Sequence, residues 1–221
     1  MSRIKKLVLV IAIIVGINII VVGANILQNG LGGWDGRSVD QILGKPAQEA
    51  TYNELAALSK SEVMQLFHAA SSPQFAQMKG EYRAKLLNVG ILSDVSGYYT
   101  NHFFGPARWY GKAFFPFEKS RGWGYNIFAE EVGDGNLKLH RTRKMDTWVG
   151  KSEIDDKDSF HLVYRAYNDG LVNSMHDEVR QINDTLFICM GYMAAGGGSI
   201  NPAPFVIHQS PTQWIGLDKE S

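Results

Sequence analysis

The densest polar stretch of the chain is MHDEVRQ, Met175–Gln181. Its His, Asp and Glu in a row are the residue types of a metal centre or an acid–base pair. Alternation along a strand sends Met175, Asp177, Val179 and Gln181 to one face and His176, Glu178 and Arg180 to the other. His176 and Glu178 can therefore share one ion or one proton, whereas His176 and Asp177 cannot. Two ligands fall short of a zinc site, and His102, His140, His161 and His208 are scattered over other segments. No metal centre is read here, and a cross-strand salt-bridge network is the simpler use of this strand.

A second candidate is the strand Leu137–Val149. Alternation puts Leu137, Leu139, Arg141, Arg143 and Met145 on one face, the more apolar one, which is expected to point inward. A buried arginine requires an anion or a carboxylate. Arg143, with Arg141, would receive the acidic head of an amphipathic ligand. The alternatives are an internal ion pair with Asp177 or Glu178, or a bulge that turns the arginines outward.

A third is GPARWYGKAFFPF, Gly105–Phe117. Trp109, Gly111, Ala113 and Phe115 alternate with Arg108, Tyr110, Lys112 and Phe114. A small residue between large aromatics leaves space. With Trp123, Tyr125, Phe128, Trp148, Tyr164 and Tyr167 on other strands, the aromatic supply exceeds what a solid small barrel needs. The stretch is read as a cavity wall, with a packed aromatic core as the alternative. The ligand-binding set is then Trp109, Gly111, Phe115, Tyr125, Arg141, Arg143, Tyr164 and His176.

Other chemistry is sparse. Cys189 lies between Ile188 and Met190 and reads as a buried core thiol. As the single cysteine of 221 residues, it allows no internal disulfide and no cysteine-based metal site. No serine stands in a G-x-S-x-G setting. GWGYN and AGGGS lead into no helix, so neither is a phosphate loop, and no cofactor is expected. The formal net charge is zero, without the basic stripe that nucleic acid requires.

The elements that position these residues begin after an apolar segment. Leu7–Leu27 carries no charge and follows Arg3, Lys5 and Lys6. It is about the ~20 residues needed to span the hydrocarbon of a bilayer as a helix. Residues 1–6 read as a cytoplasmic basic start and 7–27 as a single transmembrane anchor, with the rest periplasmic or extracellular. Asn18 reads as a tolerated mid-span amide. The rival is a cleaved signal peptide with Val22 and Ala24 before the cut, but the run is longer than the usual apolar core of about 7–15. Residues 28–50 open with QNGLGGWDG and read as a flexible tether.

Residues 51–221 read as a helix pair plus a β-domain. TYNE at Thr51–Glu54 and SKSE at Ser59–Glu62 have capping-box spacing. Val63, Leu66, Phe67 and Ala70 then form one apolar stripe. Strands are expected near Glu81–Asn88, Arg108–Phe115, Gly124–Ala129, Leu137–Val149, Phe160–Tyr167, Leu171–Ile182, Leu186–Met193 and Pro204–His208, separated by Gly/Asn/Asp turns. About eight mostly antiparallel strands suggest a closed barrel, of a size that holds one small ligand.

KGEYRAKLLNVG, then RWYGKAF, YNDGLVNSMHDEVRQINDTLFICMGYM and PAPFVIH, resemble the GXWXG family joined to the domain of unknown function that follows it. The resemblance covers about Val63 to His208. Gly80 matches the name motif, Tyr82 stands in place of its Trp and Ala84 in place of its second Gly. The resemblance implies a lipocalin-like barrel and carries no defined chemistry. The expectation is a membrane-anchored, lipocalin-like protein binding a lipid, acyl chain or other hydrophobic or amphipathic small molecule. The alternatives are a docking or assembly subunit of a membrane complex, and an enzyme on a lipid-like substrate with His176 and Glu178 as acid and base.

Overall fold

The computed structural model describes residues 2–30 and 33–218. An apolar helix α1, Arg3–Leu27, comes first, followed by short helices α2 (Val39–Leu43), α3 (Tyr52–Ala56) and α4 (Lys60–Ala69). Strand β1 is Gly80–Leu86, helix α5 is Ser93–His102, and β2 to β5 are Arg108–Pro116, Arg121–Glu131, Leu137–Lys151 and Asp158–Val163. Helix α6 is Gly170–Asn173, and β6 to β8 are His176–Asn183, Leu186–Tyr192 and Ala203–Thr212. The strands close in chain order into an antiparallel barrel, β8 pairing with β1 through Ala84↔Ile207. This is the lipocalin-like, eight-stranded, mainly β architecture expected from the spacing of turns. Helix α1 is long and apolar enough to cross a membrane.

Period-two alternation sorts the side chains. Tyr82, Phe114, Phe128, Phe160, Phe187 and Phe205 belong to the interior cluster. The intervening residues of β6–β8 face outward, where Ile188, Met190 and Val206 meet Leu55, Val63, Leu66 and Phe67 of the helices. That is the stripe expected from sequence, and each such side chain contributes about 1.5–3 kcal/mol on burial. Capping boxes start α2 (Ser38 with Gln41), α3 (Thr51 with Glu54) and α4 (Ser59 with Glu62), satisfying amides the short helices would otherwise leave unpaired.

Arg180 fastens the helices to the barrel. It is fully buried on the outer face of β6. Its Nη1 donates to Phe67 O at 2.8 Å and to Asp155 Oδ2 at 2.7 Å, and its Nε to Ser159 Oγ at 3.0 Å. His68 of α4 meets the same Asp155 oxygen at 2.8 Å. The salt bridge expected along this strand therefore exists, but with the β4–β5 loop as partner.

Several expectations are corrected. The 28–50 segment contains α2 and a 3-10 turn at Ala47–Glu49, and Asn29 Nδ2 donates to Ile200 O at 2.8 Å; Leu31 and Gly32 lie outside the described residues. The strand expected from Leu171 begins at His176, because Gly170 takes φ 62° and starts α6. The strand expected to reach Tyr167 ends at Val163. Helix α5 was not expected at all, since SDVSGYYTNH has no apolar stripe.

Burial by itself would raise the Asp155 carboxyl, but the hydrogen bonds from Arg180 and His68 outweigh it and hold the group well below the usual carboxylate range. A carboxylate lowered by folding stabilises the fold above its ordinary pKa of about 3.9 and loses that contribution as pH falls below it. Thermal melts of the full-length protein should thus steepen in acid below pH ~4. Asp155→Asn, which leaves Arg180 buried and unpaired, should cost about 3–5 kcal/mol at neutral pH and flatten that acid dependence.

Candidate ligand-binding site

The interior is not filled along its whole length. At one end Phe114 packs edge-on to Phe160 at 5.4 Å and Tyr82 edge-on to Phe187 at 6.1 Å. At the other end lies a cavity of about 320 Å³, at the lower end of the range for small-molecule pockets. Trp109, Phe205, Leu86, Met175 and Phe104 give it apolar walls. Val21, Val22 and Asn25 of α1 and Val95 and Tyr99 of α5 close it from outside the barrel.

Its floor is a polar layer contributed by β2, β3, β6 and Tyr164 just beyond the end of β5. Lys112 of β2 is 1% exposed. Its Nζ donates to Asp177 Oδ2 at 2.8 Å, to Tyr164 Oη at 2.5 Å and to Asn126 Oδ1 at 3.0 Å. The Tyr164 hydroxyl donates to Asp177 Oδ2 at 2.9 Å and accepts from Asn126 Nδ2 at 3.0 Å, while Trp109 Nε1 donates to Asn126 Oδ1 at 3.0 Å. All three ammonium hydrogens are used, and the layer is neutral overall. Asp177 Oδ1 has no hydrogen bond among the described residues. Burial, reinforced by the Asp177 charge, pushes the Tyr164 hydroxyl and the Cys189 thiol well above their ordinary pKa values, so both remain protonated. Cys189 is the buried core thiol the sequence suggested.

Two bulges explain where the expected site residues went. In β2 the register shifts between Trp109 and Gly111: Trp109 pairs with inward Phe128, Gly111 with outward Ile127. Trp109 keeps its place on the cavity wall. Gly111 and Phe115 face outward, and Lys112, assigned to the other face by simple alternation, turns in. A Cβ on Gly111 would sit 2.0 Å from Tyr82 O, so this glycine is there for close strand approach and not to leave cavity space.

In β4 the shift falls opposite Tyr125, where Arg143 takes φ 58°. Arg141 consequently points outward and pairs with Glu81, Nε to Oε1 at 2.7 Å, and Tyr125 donates to the same oxygen at 2.6 Å. Arg143 Nε is spent on Phe104 O at 2.8 Å. Neither arginine lines the cavity, which corrects the acidic-head-group placement. The apolar face of β4 was misassigned because the C-terminal segment covers the barrel's outside there: Trp214 packs on Tyr125 at 4.5 Å, and Asp218 Oδ2 accepts from Arg141 N at 2.8 Å.

Of the expected set, Trp109 and Tyr164 are joined at the interior layer, and Tyr125, Phe115, Gly111 and Arg141 are outside. His176 is also outside, 2.8 Å from His161, a residue the sequence reading had left scattered. Lys112, Asn126 and Asp177 were missed. The signal available was the bulge-forming glycine beside a lysine in an otherwise apolar strand.

No protein-family model matches the chain, and no curated protein matches it. Among solved structures, a protein from Thermomonospora curvata is similar at 14% identity and a TM-score of 0.46, over 69% of this chain and 88% of that one. The architecture rests on the strand pairing itself.

Two stability measurements follow. Lys112→Met or Asp177→Leu alone should cost about 3–5 kcal/mol by stranding a buried charge, and the double variant should recover most of that loss. Gly111→Ala should cost more than the ~1–3 kcal/mol of ordinary overpacking, because its obstacle is backbone.

Proposed function

We propose that this protein is a membrane-anchored binder of a single-chain amphiphile, taken up head-first through the barrel mouth beside α1. The observation that carries the reading is an apolar cavity with one neutral polar floor and a wall contributed by an apolar helix. Apolar walls with a few fixed polar groups are what small lipophilic ligands select. The floor favours an uncharged head that donates a hydrogen bond, such as a hydroxyl or amide. Lys112 has no hydrogen left for an anion, whereas Asp177 Oδ1 has an unused acceptor site. The ligand class of the sequence reading is kept, and its acidic head is dropped.

A retained anchor fits the contacts of α1. Asn25 is fully buried, and its Nδ2 donates to Asn201 Oδ1 at 2.8 Å. Lys60 Nζ donates to the same oxygen at 3.1 Å and to Asn25 O at 3.3 Å. Gln28 Oε1 accepts from Ile91 N at 2.8 Å. Burial lowers the Lys60 ammonium to about 8. Cleavage before Asn25 would remove Val21 and Val22 from the cavity wall and turn the buried Asn25 into a charged chain start.

Val21 sits about 9 Å short of Leu27 at ~1.5 Å per residue. If Leu7–Leu27 spans the hydrocarbon with the N-terminus cytoplasmic, the mouth reaches the outer leaflet. Ile91, Val95, Tyr98, Phe103, Leu171 and Ile200, all exposed around this end, would then contact lipid and not water. Kinship with the GXWXG family belongs to the same proposal.

The full-length protein in lipid nanodiscs, titrated with a fluorescent long-chain alcohol, should bind it saturably at about one per chain and shift its tryptophan emission. A carboxylate of equal chain length should bind more weakly. Ala203→Phe, which fills the cavity, should weaken alcohol binding by on the order of tenfold with the β-sheet spectrum unchanged. Absence of saturable binding, or equal binding by Ala203→Phe, would refute the reading in favour of a docking module.

A further inference from the structure

A second cluster of chemistry lies on the outer face of the barrel wall, and Tyr192 stands between it and the cavity. Strand pairing sets His161 of β5 directly across from Glu178 of β6. His176 is two residues before Glu178 on the same outward face. His161 Nδ1 and His176 Nε2 face each other at 2.8 Å. One ligand atom from each of His161, His176 and Glu178 lies within 4.8 Å of the others.

Two features make this more than a chance meeting of polar groups. First, it is built into the wall: His161 is 3% exposed and Glu178 0%. Second, it is incomplete. Glu178 Oε1 accepts from Glu153 N and from the Tyr192 hydroxyl, each at 2.9 Å, but Oε2 has no partner, nor has His161 Nε2. Among the described residues no Lys or Arg pairs with Glu178. A carboxylate so deeply buried requires a positive counter-charge or a proton. The two imidazoles can share only one hydrogen between them, which does not supply it.

We propose that His161, His176 and Glu178 bind a divalent transition-metal ion of the zinc type. A His-x-Glu pair on one strand plus a His directly across from the Glu forms a triangle of ligands on one face. Two imidazoles and a carboxylate suit Zn²⁺, and the absence of a thiolate or of an oxygen cage argues against copper(I) and against Ca²⁺ or Mg²⁺. Metal–nitrogen bonds of ~2.0–2.1 Å in tetrahedral geometry place two ligand nitrogens about 3.3 Å apart, so the two rings need separate only slightly. Tyr192 Oη, 3.1 Å from His176 Nδ1, and the Glu153 carboxylate, 3.4 Å from it, orient that ring from behind, as outer partners of metal-bound histidines do. Three protein ligands leave a fourth position open. The His176 side chain is 15% exposed, so that position is within reach of water.

The test uses full-length protein without a histidine tag, in detergent and stripped of metal with a chelator. Co²⁺ serves as the spectroscopic probe. One equivalent should give the visible absorption of a low-coordinate nitrogen–oxygen site, Zn²⁺ should displace it, and Zn²⁺ should raise the melting temperature. Glu178→Gln and His176→Asn should each weaken Co²⁺ binding at least about tenfold and abolish the Zn²⁺-dependent shift. Should Glu178→Gln fail to fold, His176→Asn decides, because its ring is partly exposed. Wild-type protein that binds no stoichiometric Co²⁺, or a His176→Asn variant that binds it equally well, overturns the proposal.

Discussion

An ammonium ion inside a closed barrel governs the rest of this structure. Lys112 Nζ is withdrawn from water, and an isolated charge there would cost far more than the marginal stability of a domain. Asp177 of β6, Asn126 of β3 and Tyr164 just beyond the end of β5 neutralise and satisfy it. The four groups form a plate across the barrel. Below it the phenylalanines and Tyr82 pack solidly. Above it, the space lined by Trp109, Phe205, Leu86 and Met175 remains open. The plate thus divides one interior into a packed core and an open chamber.

The outside of the barrel follows a similar division. The wall formed by β6–β8 is apolar outward and is covered by α2–α4, with Arg180 and Asp155 as the polar fastening. The wall around β2 and β3 is covered by the C-terminal segment through Trp214. The mouth is covered by α1 and α5. Its exposed apolar side chains lie on the side where α1 arrives, and the proposed membrane immersion would give them a common reason. The remaining stretch, at β5 and β6, holds the His161–His176–Glu178 triangle, with Glu178 Oε2 and His161 Nε2 unpaired.

The fold was legible in the sequence because barrel strands alternate and end at turns: all eight were recognised, with errors of a few residues except where α6 replaces the start of one. The two capping boxes and the Val63–Ala70 stripe were legible for similarly local reasons. The site was less so. Simple alternation carries a face assignment correctly only until a bulge inserts an extra residue. One bulge between Trp109 and Gly111 turned Lys112 inward, and another at Arg143 left Arg141 outside. The second is not marked by residue types, since Arg143 is an unusual residue at positive φ. His161 could not be assigned to His176 without the β5–β6 register, which depends on where β5 ends. Helix α5 owes its place to the mouth it covers more than to its own periodicity.

The central claim is that the chamber above Lys112 is a ligand site open to a membrane. Its most direct measurement is mass spectrometry of the organic extract of full-length protein purified from its native membrane. An unrelated single-span protein of the same membrane, prepared in parallel, is the control. The account predicts a single-chain amphiphile with an uncharged, hydroxyl- or amide-bearing head, enriched over the control and approaching one molecule per chain. An extract with only bulk bilayer lipids, in the control's proportions, would contradict it.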